Sequence, residues 1–266
     1  MTQSLELIRY IALANHKVDF NELKKIFNCN HPSGVKKLKS VIKKLINDGI
    51  LTYSSQYGRS NIEVSYDRPT LVSQNIVLKP SNSNYFSEKY HVVSLYRGSS
   101  FGVGDHPTTR LCIKLMDKYF YSEKIILKRN KINCLDIGTG SGVLAIIAAK
   151  IGAKSVVALD NDPCSLFDAK KNICINNLSH KIIVSDTSIS KLTGSYDLIL
   201  ANLRTPTLLE ISKKIQHIIN MHCDIILSGI KEGESKFVIN QYEKAGFSLV
   251  EEITENGWMA LWILRA

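Results

Sequence analysis

The sequence predicts an α/β protein whose larger part is a mostly parallel sheet covered by helices, with a small helical unit in front of it. Three observations predict this. From Lys131 onward, apolar β-rich runs alternate with helical patterns at short spacing. One of those runs, residues 132–137, passes directly into a glycine loop, Gly138-Thr-Gly-Ser-Gly142, and then into an apolar helix over 143–150. The first 66 residues read instead as three short helices and a hairpin.

Taken in order, residues 3–14 carry apolar side chains at near-helical spacing, and Asp19-Phe-Asn-Glu22 has the look of a capping box that opens a second helix. His31-Pro32-Ser33 starts a third, with Val35, Leu38, Ile42 and Leu45 on one face and Lys36, Lys37, Lys39, Lys43 and Lys44 on the rest. After Asp48-Gly49, residues 50–53 and 62–66 alternate like strands around a turn-rich stretch. Three helices and a hairpin predict a winged helix over residues 1–66. That segment holds ten basic and five acidic side chains, so contact with nucleic acid and contact with protein are both open for it, as is a merely solvated helix face.

Composition bounds the rest. At 266 residues the chain can hold one large unit or a large and a small one, and 44% apolar with 22% charged residues is ordinary for a globular protein. No apolar run approaches the roughly 20 residues that cross a bilayer, and Met1-Thr-Gln-Ser-Leu-Glu6 lacks a signal-peptide pattern, so the expectation is a cytoplasmic protein without a membrane partner. The six cysteines are scattered with no Cys-x-x-Cys, which predicts neither a metal site nor disulfides. A formal net charge of +10 suggests a polyanionic partner but decides nothing alone.

Residues 67–98, with Lys79-Pro80 and Ser81-Asn-Ser-Asn84, predict a linker with irregular β-structure, and 99–266 the main domain. Within that domain the strand at 155–159 ends on Asp160, which lies 22 positions after Gly138, where a carboxylate can accept both hydroxyls of a ribose. Glycines spaced Gly138-x-Gly140-x-Gly142 behind Asp136, rather than Gly-x-Gly-x-x-Gly, point to S-adenosylmethionine (AdoMet) and away from a dinucleotide. Asp136 is a candidate there, as a ligand contact or as a cap on the loop amides. Asp186, after a strand at 181–185, is a candidate for an adenine amino group or a plain loop aspartate. Asn202 closes a fourth strand at 196–201 and offers an uncharged acceptor and donor for orienting an amine, or else caps the helix that starts near Thr205. Upstream, Phe101-Gly-Val-Gly-Asp-His-Pro-Thr-Thr109 reads as a loop that covers the cofactor before a helix start; His106 within it reads as structural.

The segment Phe101 to Thr109, the glycine loop, Asp160 and Ala201-Asn202 together resemble the PrmA family, bacterial methyltransferases that modify amino groups of a large-subunit ribosomal protein. The resemblance runs over roughly residues 75–266. It implies the Rossmann-like, seven-stranded sheet of class I methyltransferases, AdoMet as cofactor, a ribosomal protein or the ribosome as partner, and cofactor contacts at Thr109, Gly138, Asp160 and Asn202. Phe101, Asp136, Gly140 and Asp186 complete the expected cofactor set, and Asn202 is the catalytic candidate. Val103 stands where the family usually has threonine, the stretch between Thr109 and Gly138 is longer and rich in lysine, and residues 1–66 read differently from the family's ferredoxin-like recognition domain. An RNA or DNA methyltransferase guided by the basic helix and a non-catalytic, DNA-binding AdoMet sensor remain as alternatives; the first lacks an Asn-Pro-Pro-aromatic motif.

Overall fold

The structure, a computed structural model, describes residues 2–14, 16–56 and 59–265. It divides into two compact units, Met1–Thr70 and Leu71–Ala266.

The first unit runs α1 (Thr2–Leu13), β1 (Val18–Asp19), α2 (Phe20–Ile26), α3 (Pro32–Asn47), β2 (Leu51–Gln56) and β3 (Arg59–Val64). Asp19 caps α2 by accepting from the Glu22 N–H at 2.8 Å, which fills one of the orphan donors of that helix start. β2 and β3 pair antiparallel from Leu51↔Val64 outward, and β1 adds to the far side of β3. Leu7, Leu23, Leu38, Ile42, Leu45, Leu51 and Ile62 close a separate small core. The strands reach into the turn-rich stretch expected at 54–61, as far as Gln56 and from Arg59 on; residues 57–58 lie outside the described residues.

Residues 67–98 are more regular than a linker. After the two-residue β4 (Thr70–Leu71), β5 (Ile76–Pro80) and β6 (His91–Leu95) pair in parallel from Ile76↔His91 to Pro80↔Leu95. The apolar runs Ile76-Val-Leu78 and Val92-Val93 decide this, because Ile76, Val77, Leu78 and Val93 are all buried.

The remainder continues as α4 (Pro107–Tyr121), α5 (Glu123–Ile126), β7 (Asn133–Ile137), α6 (Val143–Ile151), β8 (Ser155–Leu159), α7 (Pro163–Ile175), β9 (Ile182–Ser185), β10 (Tyr196–Asn202), α8 (Thr205–Lys214), β11 (Ile219–Lys231), α9 (Ser235–Lys244), β12 (Phe247–Glu255) and β13 (Trp258–Arg265). Their sheet has the order β12-β13-β11-β10-β7-β8-β9, parallel from β11 through β9; β13 runs antiparallel to its two neighbours, β11 and β12. Residues buried on both faces explain the continuous apolar runs of β10 and β11. All but one residue of α6, Lys150, is buried, so this helix lies inside the layer stack rather than on it.

Candidate active site

The order of the strands reverses between β7 and β10, so a crevice opens beyond the carboxyl ends of these two strands. Five chain segments meet there: the glycine loop after β7, Asp160 after β8, Asp186 after β9, Asn202 at the end of β10, and the Phe101–Thr109 segment. They line a cavity of about 740 Å³, within the size range of small-molecule sites. Phe101, Thr109, Gly138, Gly140, Asp160, Asp186 and Asn202, separated by up to about a hundred positions in sequence, are thus brought together.

The glycine loop is pinned from two sides. The Gly138 and Thr139 amides both donate to the Leu159 carbonyl at 2.8 Å, and the Ser141 amide donates to the Phe101 carbonyl at 2.9 Å. Gly140 has φ 53°, and a Cβ there would sit 2.6 Å from the Phe101 carbonyl oxygen. Glycine is required at this position by the covering segment itself. Asp160 Oδ2 accepts from the Gly140 N–H at 2.9 Å and Oδ1 from the Asp162 N–H at 3.1 Å. Two amides therefore orient the carboxylate while its remaining lone pairs are free for a ligand.

Of the two roles open to Asp136, a ligand contact or a cap on the loop, its contacts are those of a brace. It does not line the cavity. It is 1% exposed, and its Oδ2 accepts from the Thr139 hydroxyl at 2.6 Å and the Ala145 N–H at 3.2 Å, bracing the loop against the first turn of α6. Burial pushes its pKa up to about 7 against these two bonds, which pull it down. With the folded value above the unfolded one, its contribution favours the protonated fold and is lost as pH rises from about 4 to about 7. Asp136→Asn is expected to flatten the fall of melting temperature over that range; a slope equal to the unmodified protein's in thermal melts would disprove it.

Asn202 is held from the opposite side. Its Nδ2 donates to Thr109 Oγ1 at 3.4 Å, while its buried Oδ1 has no hydrogen-bond partner among the described residues. Arg204, not Asn202, stands at the cap position of α8, which removes the capping alternative. The adjoining Leu203 amide donates to the Ser228 carbonyl at 3.0 Å, and Gly229, φ 86°, lies so close that a Cβ would overlap the Leu203 carbonyl. The strand register between β11 and β13 shifts here, between Ser228 and Ile230. This irregularity makes room for the Asn202 loop.

His106 takes the structural role. Its Nδ1 accepts from the Thr108 N–H at 3.3 Å, capping α4, so in the neutral ring the proton resides on Nε2. The Nδ1 atom is thereby engaged with Thr108 at the start of α4. It stacks edge-on between Phe101 and Trp258, at 5.0 and 5.1 Å between centroids, and the Arg204 guanidinium lies 5.6 Å from the Trp258 ring centre. Trp258, Arg204 and Gly229 belong to the cavity wall and carry no motif that the sequence alone would single out.

Two further devices fix the covering segment. Arg110, on α4, donates through Nε to Glu255 Oε1 at 2.6 Å and through Nη1 to the Asp105 carbonyl at 2.6 Å; Lys114 adds a bond to Glu255 Oε2 at 2.8 Å. On α7 and its C-terminal cap, Asp168, Asn172 and the cap residue Asn176 stand four residues apart on one face. Asn176 exchanges two hydrogen bonds with the Ser94 backbone, Asn172 accepts from the Tyr96 N–H at 2.7 Å and donates to the Ser141 carbonyl at 2.9 Å, and Asp168 accepts from Ser100. The four-residue spacing is the signal that could have found this ladder in the sequence.

Comparison with known proteins agrees with this geometry. The sequence pattern of the family described as ribosomal protein L11 methyltransferase (PrmA) matches residues 59–265. The chain belongs to that family. A ribosomal protein L11 methyltransferase of Geotalea uraniireducens is 33% identical over 201 residues, 74% of this chain and 64% of that protein. One from Clostridium perfringens is 33% identical over 194 residues, 73% of this chain and 59% of its own length. The chain therefore spans less than two thirds of these PrmA relatives, and residues 1–58 fall outside the family match. Among solved structures, a ribosomal protein L11 methylase from Lactobacillus delbrueckii subsp. bulgaricus superposes with a TM-score of 0.66 at 27% identity, covering 74% of this chain and 98% of that one. The PrmA match contains every residue that lines the cavity.

Proposed function

We propose that the chain transfers a methyl group from AdoMet to an amino group of a protein, a ribosomal protein being the acceptor that its relatives' names suggest. The observation that carries this reading is that Asn202, whose buried Oδ1 has no hydrogen-bond partner among the described residues, lines the same cavity as Asp160. The residues fit the cofactor: Asp160 would hold ribose hydroxyls, Gly138 and Gly140 let backbone approach closely, Asp186 would meet an adenine amino group, and Phe101 with Thr109 would cover the site. AdoMet, when bound, supplies an electrophilic methyl on sulfur. What the chain adds is position. Asn202 Oδ1 would accept an N–H of the incoming amine and so aim its lone pair, and the aromatic wall of Phe101, His106 and Trp258 would keep water away. No residue need act as a strong base.

Asn202→Ala is expected to lower kcat by roughly 10²-fold, because an orienting polar group is lost, while the cofactor dissociation constant changes by less than about threefold. Calorimetric titration with AdoMet beside steady-state kinetics separates the two. The defining experiment is transfer of radiolabelled methyl from AdoMet into a cell lysate divided into protein and RNA fractions. Label in a ribosomal protein supports the reading; label confined to nucleic acid overturns it. The second outcome has one structural observation in its favour, the exposed lysines of α3, on a unit whose order of helices and strands is that of a winged helix.

A further inference from the structure

Helix α3 carries a pattern that methyl transfer does not use. Ser33, Ser40 and Asn47 follow one another at seven-residue intervals, so they lie along one line of the helix, about 10.5 Å apart. All three are exposed, and the line runs opposite the buried stripe of Leu38, Ile42 and Leu45. Helical geometry puts Lys36, Lys39 and Lys43 on one side of that line and Lys37 and Lys44 on the other, all five exposed. Small hydrogen-bonding side chains thus form a seam between two rows of cations.

The charge on this face is not compensated. Among the described residues none of the five lysines is in an ion pair; Lys39 alone has an aromatic contact, with its Nζ 5.5 Å from the Phe20 ring centre. Three of the unit's carboxylates are engaged elsewhere, Glu22 with Tyr10 and His16, Glu63 with Lys17 and Ser54, and Asp19 as the cap of α2, while the exposed Asp48 stands at the C-terminal cap of α3, one turn past Lys44. A face that served only solubility would have no reason to set its hydroxyl and amide groups in one central line.

From this arrangement we infer that α3 is a reading helix for duplex DNA, with the serine and asparagine seam toward base edges and the two lysine rows toward the phosphates on either side. The dimensions select the occupant. A helix with its side chains is about 10–12 Å across and the major groove of B-form DNA about 12 Å wide, whereas the major groove of an RNA duplex is too deep and narrow to admit it. Lysine rows supply affinity and register; Ser33, Ser40 and Asn47, each able to donate and accept, would supply sequence preference. This deepens the winged-helix reading of the first unit and is independent of methyl transfer.

The test is fluorescence anisotropy of the full chain, without AdoMet, against a random-sequence DNA duplex of roughly 30 base pairs and an RNA duplex of equal length. Four to five lysine–phosphate contacts predict a loss of affinity of about 10²- to 10³-fold between about 50 and about 200 mM salt. Lys36→Glu, Lys37→Glu and Lys43→Glu combined should weaken DNA binding at least about 100-fold, with circular dichroism and the melting curve unchanged as the check on folding. Ser40→Ala with Asn47→Ala should leave affinity for the random pool within about threefold while reducing the enrichment of any sequence selected from it. No DNA binding at low salt, RNA duplex bound in preference to DNA, or a charge-reversed variant that binds as before would each overturn the inference. The methyl-transfer reading would stand in any of those cases, since no cofactor enters the assay.

Discussion

Asp160→Ala is expected to weaken AdoMet binding by about two orders of magnitude. Two hydroxyl donors on one carboxylate contribute on the order of 1.5–3 kcal/mol each, so their loss amounts to about 3 kcal/mol or more, and every 1.4 kcal/mol is about tenfold. The same substitution also removes the acceptor for the Gly140 and Asp162 amides, which loosens the glycine loop. Asp160→Asn separates the two effects, because it keeps an acceptor oxygen for the loop and loses the charge. Isothermal titration gives the answer directly; an alanine variant that binds AdoMet within about threefold of the unmodified protein would remove Asp160 from the site.

Glu255→Ala should be the most damaging substitution away from the cavity floor. Glu255 and Arg110 are 5% and 9% exposed, and Glu255 also takes the Lys114 bond. Deleting one member of a buried pair costs about 3–5 kcal/mol, because the other charge stays in the interior without it. For a domain of this size that lowers the melting temperature by about 10 °C. Since Arg110 also donates to the Asp105 carbonyl, the covering segment should lose its order first, and the Michaelis constant for AdoMet should rise before the sheet unfolds. Calorimetry that finds the melting temperature within about 2 °C of the unmodified protein would refute this.

How much of this could be read in advance follows sequence separation. The glycine loop, Asp160 and Asn202 were legible because each sits at the end of its own strand, where a short motif and a hydrophobic run are enough. Asp136 was legible as important, but its direction was not: whether a strand-end carboxylate turns to a ligand or back to Thr139 and Ala145 is decided by the packing of α6. Glu255 reaches Arg110 across 145 positions, and no local pattern encodes that partner; the four-residue spacing up to Asn176 marks a helix face, but not that its partner is Ser94, 82 positions away. Residues 67–98 misled because proline, serine and asparagine dominate the punctuation, while the two short apolar runs that become β5 and β6 only make sense once they pair with each other.

The α7 ladder sets a ruler on the chain. Asn176, Asn172 and Asp168 step along the helix by one turn each, and their partners Ser94, Tyr96 and Ser100 step along the extended segment in the same direction. Every rung includes a backbone bond, and two side-chain identities are fixed as well: a Cβ at Gly98 would lie 2.0 Å from Asp168 Oδ2, and the Ser100 hydroxyl donates to that same oxygen; beyond these, the number of residues is what the ladder measures. Adding or deleting one residue between Ser94 and Ser100 would shift Ser100 along α7 and misplace Phe101 over the glycine loop. The stretch from Tyr121 to Ile132 is not measured against a helix in this way: its backbone bonds, Ile126 to Ser122, Lys128 to Ile125 and Ile132 to Arg129, close on the stretch itself, so a change of length there is expected to be absorbed more easily. In this fold, tolerance to insertion is therefore distributed by which loops are measured against a helix.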